Sequence, residues 1–442
     1  MLKVFGDQYR CCDGIPRRTF LEIGAPLLGL SLPQILQRRA EASPTATSRR
    51  KKSVIVIWTQ GGLSQQDTYD MKPHAPTEYR GMYQPIRTSA PDIWITERFP
   101  RQAEIMDRVS QVRSVHHENG IHAPSAHWMQ TGYFGATLAR NAQQRPSFGS
   151  IISRVRGDLA PNMPSYVAVP KAEAFGYQRA SYLGAAFNPF EVGADPNSDG
   201  FQVPNLTPPE GLTLKQVESR RHLLKKFDTL RAEIDKQGAI DGLNTFKIQA
   251  LDMVAGAPVR EAFNISSEDP QLRDRYGRHQ FGQSALLARR LVEAGTTCVT
   301  VNTGYWDHHD NIEKGLEELL PPLDQAIATL IEDLDARGML DDVLVYCAGE
   351  FGRTPLINGH AGRDHWANCF TVTFAGGGVQ GGRIVGASEK NGGDVADRPC
   401  TPLDVLATVY HALDIPLDTH FDDASGRPVS IVGSGQPIYE LF

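Results

Sequence analysis

The chain has 442 residues and a formal net charge of -6 at pH 7, from 51 acidic and 45 basic side chains. Its body has no run rich in lysine and arginine, which argues against a nucleic-acid partner. Strand and helix patterns alternate over most of the length, and this alternation predicts one large α/β unit instead of several small domains.

The first 42 residues carry the pattern of an export signal. Arg17 and Arg18 precede a moderately apolar run, and the small-residue motif AEA (Ala40–Ala42) follows it. This order resembles a twin-arginine leader, which exports folded proteins to the periplasm or the cell exterior. A single-span anchor is the alternative, but glycines and prolines make the apolar run short. We predict a signal peptide at 1–42, a linker at 43–52, the twin-arginine export machinery as a partner and no stable membrane span in the mature chain.

The first two predicted strands of the body each lead into a candidate site loop. Ser53–Trp58 is a short apolar run typical of a buried strand, and a glycine-rich polar loop follows it. The segment ERFPRQAEIMDRVSQVRSV predicts a helix and then a strand. That strand delivers His116–Gly135, a window with four histidines. We predict that both loops belong to one domain, which extends from residue 53 to residue 442.

The middle of the chain predicts further elements and one irregular excursion. A helix (FGSIISRVRG) precedes the strand Ser165–Val169. The range 171–209 is rich in glycine, proline and aromatic residues without periodicity, which predicts an ordered surface excursion. Helices are predicted at 214–237 and 246–254, and the first is amphipathic, with charges typical of a solvated face.

Strand and helix alternate again in the last third of the chain. Gly277–Gly295 predicts a helix, and Thr296–Asn302, Val343–Ala348 and Phe370–Gly378 predict strands. Right-handed crossovers between such units predict a mostly parallel sheet. Polar loops that follow the strands would then meet at one edge, which is where open α/β sheets bind ligands.

Two of these loops carry candidate metal ligands. Asp307 and His309 follow one strand, and they could offer an oxygen and a nitrogen donor to zinc or a similar ion. Glu350 and His365 follow another strand. Two such loops together are stronger evidence for a metal site than either loop alone. The alternatives are a polar surface loop at Asp307 and a structural ion pair between Glu350 and an arginine.

The segment His122–Gly132 carries three candidate catalytic side chains. Pro124 suits the start of a helix, because its missing N–H costs nothing there. His122 and Ser125 would lie at this helix N-terminus, where backbone N–H groups and the helix dipole favour an anion. His127 would lie in the first turns, either as a catalytic residue or as a hydrogen-bonded core histidine.

Two segments resemble sulfatases and other alkaline-phosphatase-like enzymes. DARGMLDDVLVYCAGEFG is similar to the helix and strand that lead to their metal site, with Glu350 on a metal-binding aspartate and Phe351 on a histidine. HAPSAHWMQTG looks like the sulfatase signature, with His122 at the position of the catalytic cysteine. The residues that match the signature are Pro124, Ser125, Thr131 and Gly132.

A set of motifs in order along the chain resembles one narrower family: GGLSQQDTYDMKP, the His116–Gly132 window, YGRHQFGQSALLARRLVEAG, WDHHDN, GEFGRTP and GRDHW. This family is catalogued as domain of unknown function 1501, exported proteins placed in the alkaline-phosphatase-like superfamily. The resemblance covers essentially the whole mature chain. It implies an alkaline-phosphatase-like three-layer αβα sandwich with a mostly parallel central sheet.

The residues and the resemblance together predict metal-assisted hydrolysis of a phosphate or sulfate ester. One divalent ion is expected: zinc, manganese or calcium. The predicted metal ligands are Asp307, His309, Glu350 and His365. The candidate catalytic residues are His122, Ser125, His127 and Arg353, and the candidates to bind the anionic substrate are Arg363 and Gln60. Either His122 or a water molecule activated by the metal is expected to attack.

Two alternatives stay open. Thr59 and Gln60 stand where the superfamily places metal-binding aspartates, and position 122 has no cysteine, serine or threonine. These departures favour a catalytically degenerate domain that binds an anionic glycan or a protein partner at the same edge. A metal-free hydrolase with Ser125, His127 and Asp307 ranks last, because the sequence has no nucleophile-elbow pattern.

Overall fold

The computed structural model describes these residue ranges: 52–134, 145–160, 163–172, 175–206 and 256–442. The predicted leader, most of the predicted linker and the helices predicted at 214–237 and 246–254 lie outside them. Among the described residues, no helix combines the length and the apolar character needed to cross a membrane.

The strands of the described residues are numbered in chain order: β1 (Ser53–Trp58), β2 (Pro85–Arg87), β3 (Trp94–Thr96), β4 (Val109–Val115), β5 (Tyr166–Val169), β6 (Phe190–Glu191), β7 (Cys298–Asn302), β8 (Val343–Ala348), β9 (Gly352–Arg353), β10 (His365–Trp366), β11 (Phe370–Ala375), β12 (Ile384–Val385), β13 (Ala387–Ser388), β14 (Val395–Asp397), β15 (His420–Asp422) and β16 (Pro428–Ser430). The central sheet has eight strands in the order β12-β4-β11-β8-β1-β7-β5-β6. Strand β11 runs antiparallel to β4 and β8, and all other neighbours in this sheet are parallel. The apolar runs of β1 and β8 are buried along their whole length, as central strands covered on both faces require.

The helices of the described residues are numbered in the same way: α1 (Thr77–Arg80), α2 (Pro100–Glu104), α3 (His122–Thr131), α4 (Phe148–Arg156), α5 (Ala257–Phe263), α6 (Pro270–Tyr276), α7 (Gln280–Ala294), α8 (Ile312–Ala336) and α9 (Pro402–Ala412). Short 3₁₀ helices lie at Met106–Arg108, Ser181–Leu183, Ala185–Phe187, Pro204–Leu206, Ile265–Ser267 and Tyr439–Leu441. Helix α7 ends at Gly295, whose φ of 110° is the left-handed conformation that glycine accepts without strain.

Alternate residues of the central strands pack against helices on opposite faces of the sheet. On one face, Ile57 belongs to a core cluster with Leu286 of α7. On the other face, Val56 belongs to a second cluster with Met129 of α3 and Leu406 of α9. This separation follows from the two-residue period of a strand. Helices on both faces of a mostly parallel sheet confirm the predicted three-layer αβα fold class.

The sheet topology brings distant loops to one edge. Loops that leave the parallel strands β1, β4, β7 and β8 all start at the carboxyl edge of the sheet. His365 precedes β11, and because β11 is antiparallel, its first residue lies at that same edge. The predicted convergence of polar loops is therefore present, and the connection from β8 to β11 has both of its ends at this edge.

The main difference from the predicted elements lies in the excursion at 171–209. Phe190–Glu191 pairs with β5 and extends the central sheet by one edge strand that the sequence did not predict. Two residues are too few to show the alternation by which a strand is identified. This strand forms because its backbone pairs with the outer edge of β5, and not because of a local sequence pattern.

Candidate functional site

Four connections between strands meet at the carboxyl edge of the central sheet. Those that follow β1, β4 and β7 supply Gly61, His122 and Asp307, and the connection from β8 to β11 supplies both Glu350 and His365. Hydrogen bonds connect these groups across more than 300 positions of sequence, from the Gly61 N–H through Glu350, His122 and Asp307 to His365. The parallel topology thus assembles a polar cluster from loops that are far apart in the chain.

Asp307 is the centre of this cluster. Its Oδ1 lies 3.0 Å from His365 Nε2 and 2.9 Å from His309 Nε2. Its Oδ2 lies 3.1 Å from His122 Nε2. His122, Asp307 and His365 each offer one potential ligand atom, and these atoms all lie within 4.8 Å of one another. The cluster therefore contains three of the four predicted metal ligands, together with His122.

The outer ring nitrogen of each histidine faces an oxygen acceptor. The three pairs are His122 Nδ1 with Glu350 Oε1 at 2.6 Å, His309 Nδ1 with Asp364 Oδ1 at 2.7 Å, and His365 Nδ1 with Gly120 O at 2.6 Å. Such acceptors fix the N–H on Nδ1 of a neutral ring, so the lone pair of Nε2 faces inward. The Nε2 atoms of His309 and His365 are 3.0 Å apart. Two lone pairs at this distance need a proton or a metal ion between them.

The donor set fits a divalent transition metal. Three imidazole nitrogens and one carboxylate are ligands that zinc and related ions prefer. Each histidine also has the oxygen partner that commonly orients a metal-binding imidazole. The residues that could hold one ion are therefore His122, Asp307 and His365, together with His309, whose Nε2 lies 2.9 Å from Asp307 Oδ1.

Glu350 lies behind His122. It is fully buried, and its Oε1 accepts a hydrogen bond of 2.7 Å from Gly61 N in addition to the contact with His122. Its Oε2 is buried and has no hydrogen-bond partner among the described residues. Burial raises the pKa of the Glu350 carboxyl. This geometry suits a group that orients His122, whereas the sequence predicted Glu350 as a direct ligand.

The acidic neighbours determine the charge of the cluster. Burial disfavours the charged form of His122, but hydrogen bonds to Asp307 and Glu350 outweigh this effect and raise its pKa to about 9. Burial also opposes the charge of Asp307, yet hydrogen bonds from His122, His365 and Arg353 hold its pKa well below the usual range. A metal ion that binds His122 must therefore displace a proton.

The two arginines predicted to act on an anion are fully buried. Arg353 donates from Nη2 to Asp307 Oδ1 at 2.5 Å, and from Nε and Nη1 to the carbonyls of Gly62 and Arg363 at 3.1 and 3.0 Å. Arg363 donates from Nε to Asp67 Oδ2 at 2.8 Å. Both guanidinium groups are thus engaged inside the protein, where they connect loops of the site.

Ser125 and Gln60 make hydrogen bonds to the backbone near the cluster. The Ser125 hydroxyl is buried in the first turns of α3 and donates to Asn119 O at 2.6 Å. The Gln60 amide donates from Nε2 to Gly304 O at 3.2 Å. In this structure the two side chains support the loops after β4 and β7.

Three aromatic side chains contact the cluster, and sequence reasoning missed two of them, Phe175 and Tyr305. Phe351 is 1% exposed and lies on the protein-interior side of the cluster, with its ring centroid 5.0 Å from that of His122. Phe175 stacks on His122 at 4.2 Å and 12°. The Tyr305 hydroxyl donates to Asp307 Oδ2 at 3.1 Å. Tyr305 could have been found from its position in the YWDHHD motif, whereas Phe175 lies in a stretch without periodicity.

His127 lies apart from Asp307, in the core side of α3. It is 1% exposed, its Nδ1 lies 2.9 Å from Tyr133 O, and its Nε2 accepts a hydrogen bond of 3.1 Å from Arg145 N. Both ring nitrogens of the neutral form are therefore used. Burial lowers the pKa of His127 from 6.5 to about 4. This environment favours the core-histidine interpretation over the catalytic one.

The fold is expected to lose stability at acid pH in part through His127. Because its pKa in the folded state is about 4, against 6.5 ordinarily, only the unfolded chain binds the proton between these values. The contribution of His127 to the free energy of unfolding is fully present above pH 6.5. It falls by up to about 3 kcal/mol as pH falls toward 4. Urea unfolding of His127→Gln should show a smaller loss over this interval than wild type. The exposed His360→Gln is the control, and equal pH slopes in all three proteins would contradict the assignment.

Comparisons with known proteins give similar solved structures and one family. A phosphonate monoester hydrolase from Silicibacter pomeroyi is 12% identical, with a TM-score of 0.39, and the match covers 88% of this chain and 76% of that chain. The PsFucS1 sulfatase from Pseudoalteromonas sp. is 12% identical, with a TM-score of 0.36 and coverage of 84% and 69%. The lipoteichoic acid synthase LtaP from Listeria monocytogenes is 11% identical, with a TM-score of 0.38 and coverage of 83% and 73%. No curated protein matched. The sequence model of the family described as "Protein of unknown function (DUF1501)" matches residues 51–442.

Proposed function

This chain belongs to the DUF1501 family of proteins of unknown function, and from that premise we propose that it is a metal-assisted hydrolase of a phosphate or sulfate ester. The observation that supports this proposal most is the convergence of three imidazole Nε2 atoms on the carboxylate of Asp307. Nitrogen and oxygen donors in this combination suit zinc or a related ion. The matching orientation of all three rings distinguishes the cluster from a chance group of polar residues.

Each residue of the cluster has a definite part in the proposal. His122, Asp307, His309 and His365 hold the ion, and Glu350 orients His122 through the hydrogen bond at Nδ1. The bound ion would supply Lewis-acid chemistry and activate water. Phe351 closes the site from below, whereas His309 has 41% of its side chain exposed, so a substrate can reach the cluster from that side.

Zinc is expected to stabilise the protein and to bind through His365. At 100 times its dissociation constant, one zinc ion should add about 2.7 kcal/mol to the free energy of unfolding. Metal analysis of protein purified without chelator, and thermal unfolding with and without zinc, measure this directly. His365→Ala should lose the thermal shift, and His360→Ala should keep it, because the ring of His360 is exposed and outside the cluster.

Turnover tests the catalytic part of the proposal separately. With zinc bound, a panel of 4-nitrophenyl phosphate, phosphonate and sulfate esters should include at least one substrate whose hydrolysis stops in His365→Ala. Protein that contains no metal, and whose unfolding is unchanged by zinc, manganese, iron and calcium, would refute the metal-assisted hydrolase.

A second candidate is a metal-containing domain that binds its ligand without turnover. The burial of Arg353 and Arg363 favours it, because neither guanidinium is available to neutralise the charge that develops on a transferring group. Zinc binding through His365 together with no hydrolysis of any ester in the panel would support this second candidate.

A further inference from the structure

Three rings form a row at the mouth of the site. The Phe175 ring stacks on the His122 imidazole at 4.2 Å and 12°, and its centroid lies 6.1 Å from that of Tyr305 at 34°. Tyr305 is half exposed, although its hydroxyl reaches the Asp307 carboxylate at 3.1 Å. An aromatic surface is therefore presented to solvent directly beside the proposed metal ligands.

Ile121 is an exposed apolar residue that adjoins the cluster in sequence. Its neighbour Gly120 accepts the hydrogen bond from His365 Nδ1, and its other neighbour is His122. Ile121 therefore lies in the chain between a residue that bonds to His365 and a residue of the cluster, and it is 59% exposed. Ligand sites typically combine such apolar walls with a few polar groups that fix the orientation of the ligand.

The charges near the mouth do not suit a polyanion. Asp364 has 54% of its side chain exposed and pairs with His309. Asp310, which follows His309 in the chain, is exposed as well. Arg353 and Arg363, by contrast, are buried and engaged. Further negative groups on a ligand would meet carboxylates here, because like charges at close range repel.

We propose that Tyr305 and Phe175 form a binding wall for an uncharged ring in the organic part of the ester. This inference rests on the proposed function, since it assumes that the anionic head of the ligand is held at the His122, Asp307, His309 and His365 cluster. It assigns the substrate to small ring-bearing monoesters and not to highly sulfated or phosphorylated glycans. Stacking on an exposed aromatic face supplies the attraction, and the nearby carboxylates disfavour additional anionic groups.

The test compares two non-hydrolysable probes with the same anionic head. Phenylphosphonate carries a ring and methylphosphonate does not, so the ratio of their affinities isolates the contribution of the wall. Isothermal titration calorimetry of the zinc-loaded protein should show phenylphosphonate bound about fivefold more tightly. Tyr305→Ala should bring the ratio close to one, and Tyr305→Phe should keep it, because phenylalanine retains the ring. Tyr439→Ala is the matched control, since Tyr439 is 59% exposed at the C-terminal end of the chain.

Each outcome of this experiment decides one point. Equal affinity of wild type for both probes would overturn the wall and leave the proposed function standing. Loss of the ratio in Tyr305→Phe as well as in Tyr305→Ala would also overturn the wall, because the hydroxyl contact with Asp307 would then be responsible. If neither probe binds the zinc-loaded protein, the proposed function fails together with the inference. Circular dichroism of each variant confirms that the compared proteins are folded.

Discussion

Replacing Asp307 by asparagine is expected to lower the affinity for zinc on the order of 100-fold or more. The change keeps the shape of the side chain and removes its charge. Asp307 is the one group that all three histidines of the cluster face, so no other described carboxylate can take its place among them. Competition with a chromophoric chelator at pH 8 would measure the dissociation constant.

The same substitution is expected to affect the metal-free fold. Arg353 is fully buried and donates to Asp307 Oδ1, and an arginine that loses its charged partner keeps its desolvation penalty. Free energy of unfolding should fall by about 2 kcal/mol, less than for complete removal, because the asparagine amide oxygen still accepts a hydrogen bond. Asp310→Asn is the matched control on the same loop, since Asp310 is exposed. Wild-type zinc affinity in Asp307→Asn would exclude the cluster as the metal site.

The membership of the cluster could be predicted from sequence because it depends on topology. Asp307 and His309 follow a run identifiable as a strand, and so does Glu350. A parallel sheet then brings such positions to one edge, whatever their separation in the chain. His365 was predicted by the same argument, but it lies near the far end of the connection after β8, next to the start of the antiparallel β11. The direction of a strand is set by its pairing across the sheet, so the direction of β11 could not be predicted from its own residues.

The sequence did not show which residues of the site contact each other, because this depends on how deeply each side chain is buried. Glu350 is the first polar residue after a fully buried strand, and that position places it behind His122 and not beside Asp307. Arg353 and Arg363 looked suitable for an anion because guanidinium groups bind phosphate and sulfate well. Their burial results from loops that fold over them, and residue type alone does not show whether a planar cation faces solvent or backbone carbonyls.

Arg353 donates hydrogen bonds to three carbonyls and a carboxylate, so its replacement is expected to be costly. Its side chain donates to the carbonyls of Gly61, Gly62 and Arg363 as well as to Asp307. It therefore connects the loops after β1, β7 and β8. The backbone N–H of Arg353 donates to Gln65 Oε1, and the backbone carbonyl of Arg353 accepts from Gln65 Nε2, both at 2.9 Å. No other residue type has the planar, five-donor geometry that serves these acceptors together.

Arg353→Met is expected to lower the free energy of unfolding by about 4 kcal/mol, because it leaves a buried carboxylate and several carbonyls without donors. Arg353→Lys should recover only part of this loss, since an ammonium group keeps the charge but cannot reach the same acceptors. Arg398→Met is the control: Arg398 pairs with Glu440 at 2.6 Å, but the two side chains are 36% and 48% exposed. Exposed pairs of this kind contribute about 1 kcal/mol or less.

Urea unfolding of the three variants separates a structural role of Arg353 from a role in binding substrate. A residue that only contacts substrate would leave the unfolding midpoint near that of wild type, and Arg353→Met would then resemble Arg398→Met. The burial of Arg353 argues for the opposite result, with zinc affinity reduced in Arg353→Met as well, because the guanidinium fixes the Asp307 carboxylate that faces His122, His309 and His365. An unfolding midpoint and a zinc affinity both equal to those of wild type would show that the loops of the site hold their positions without this arginine.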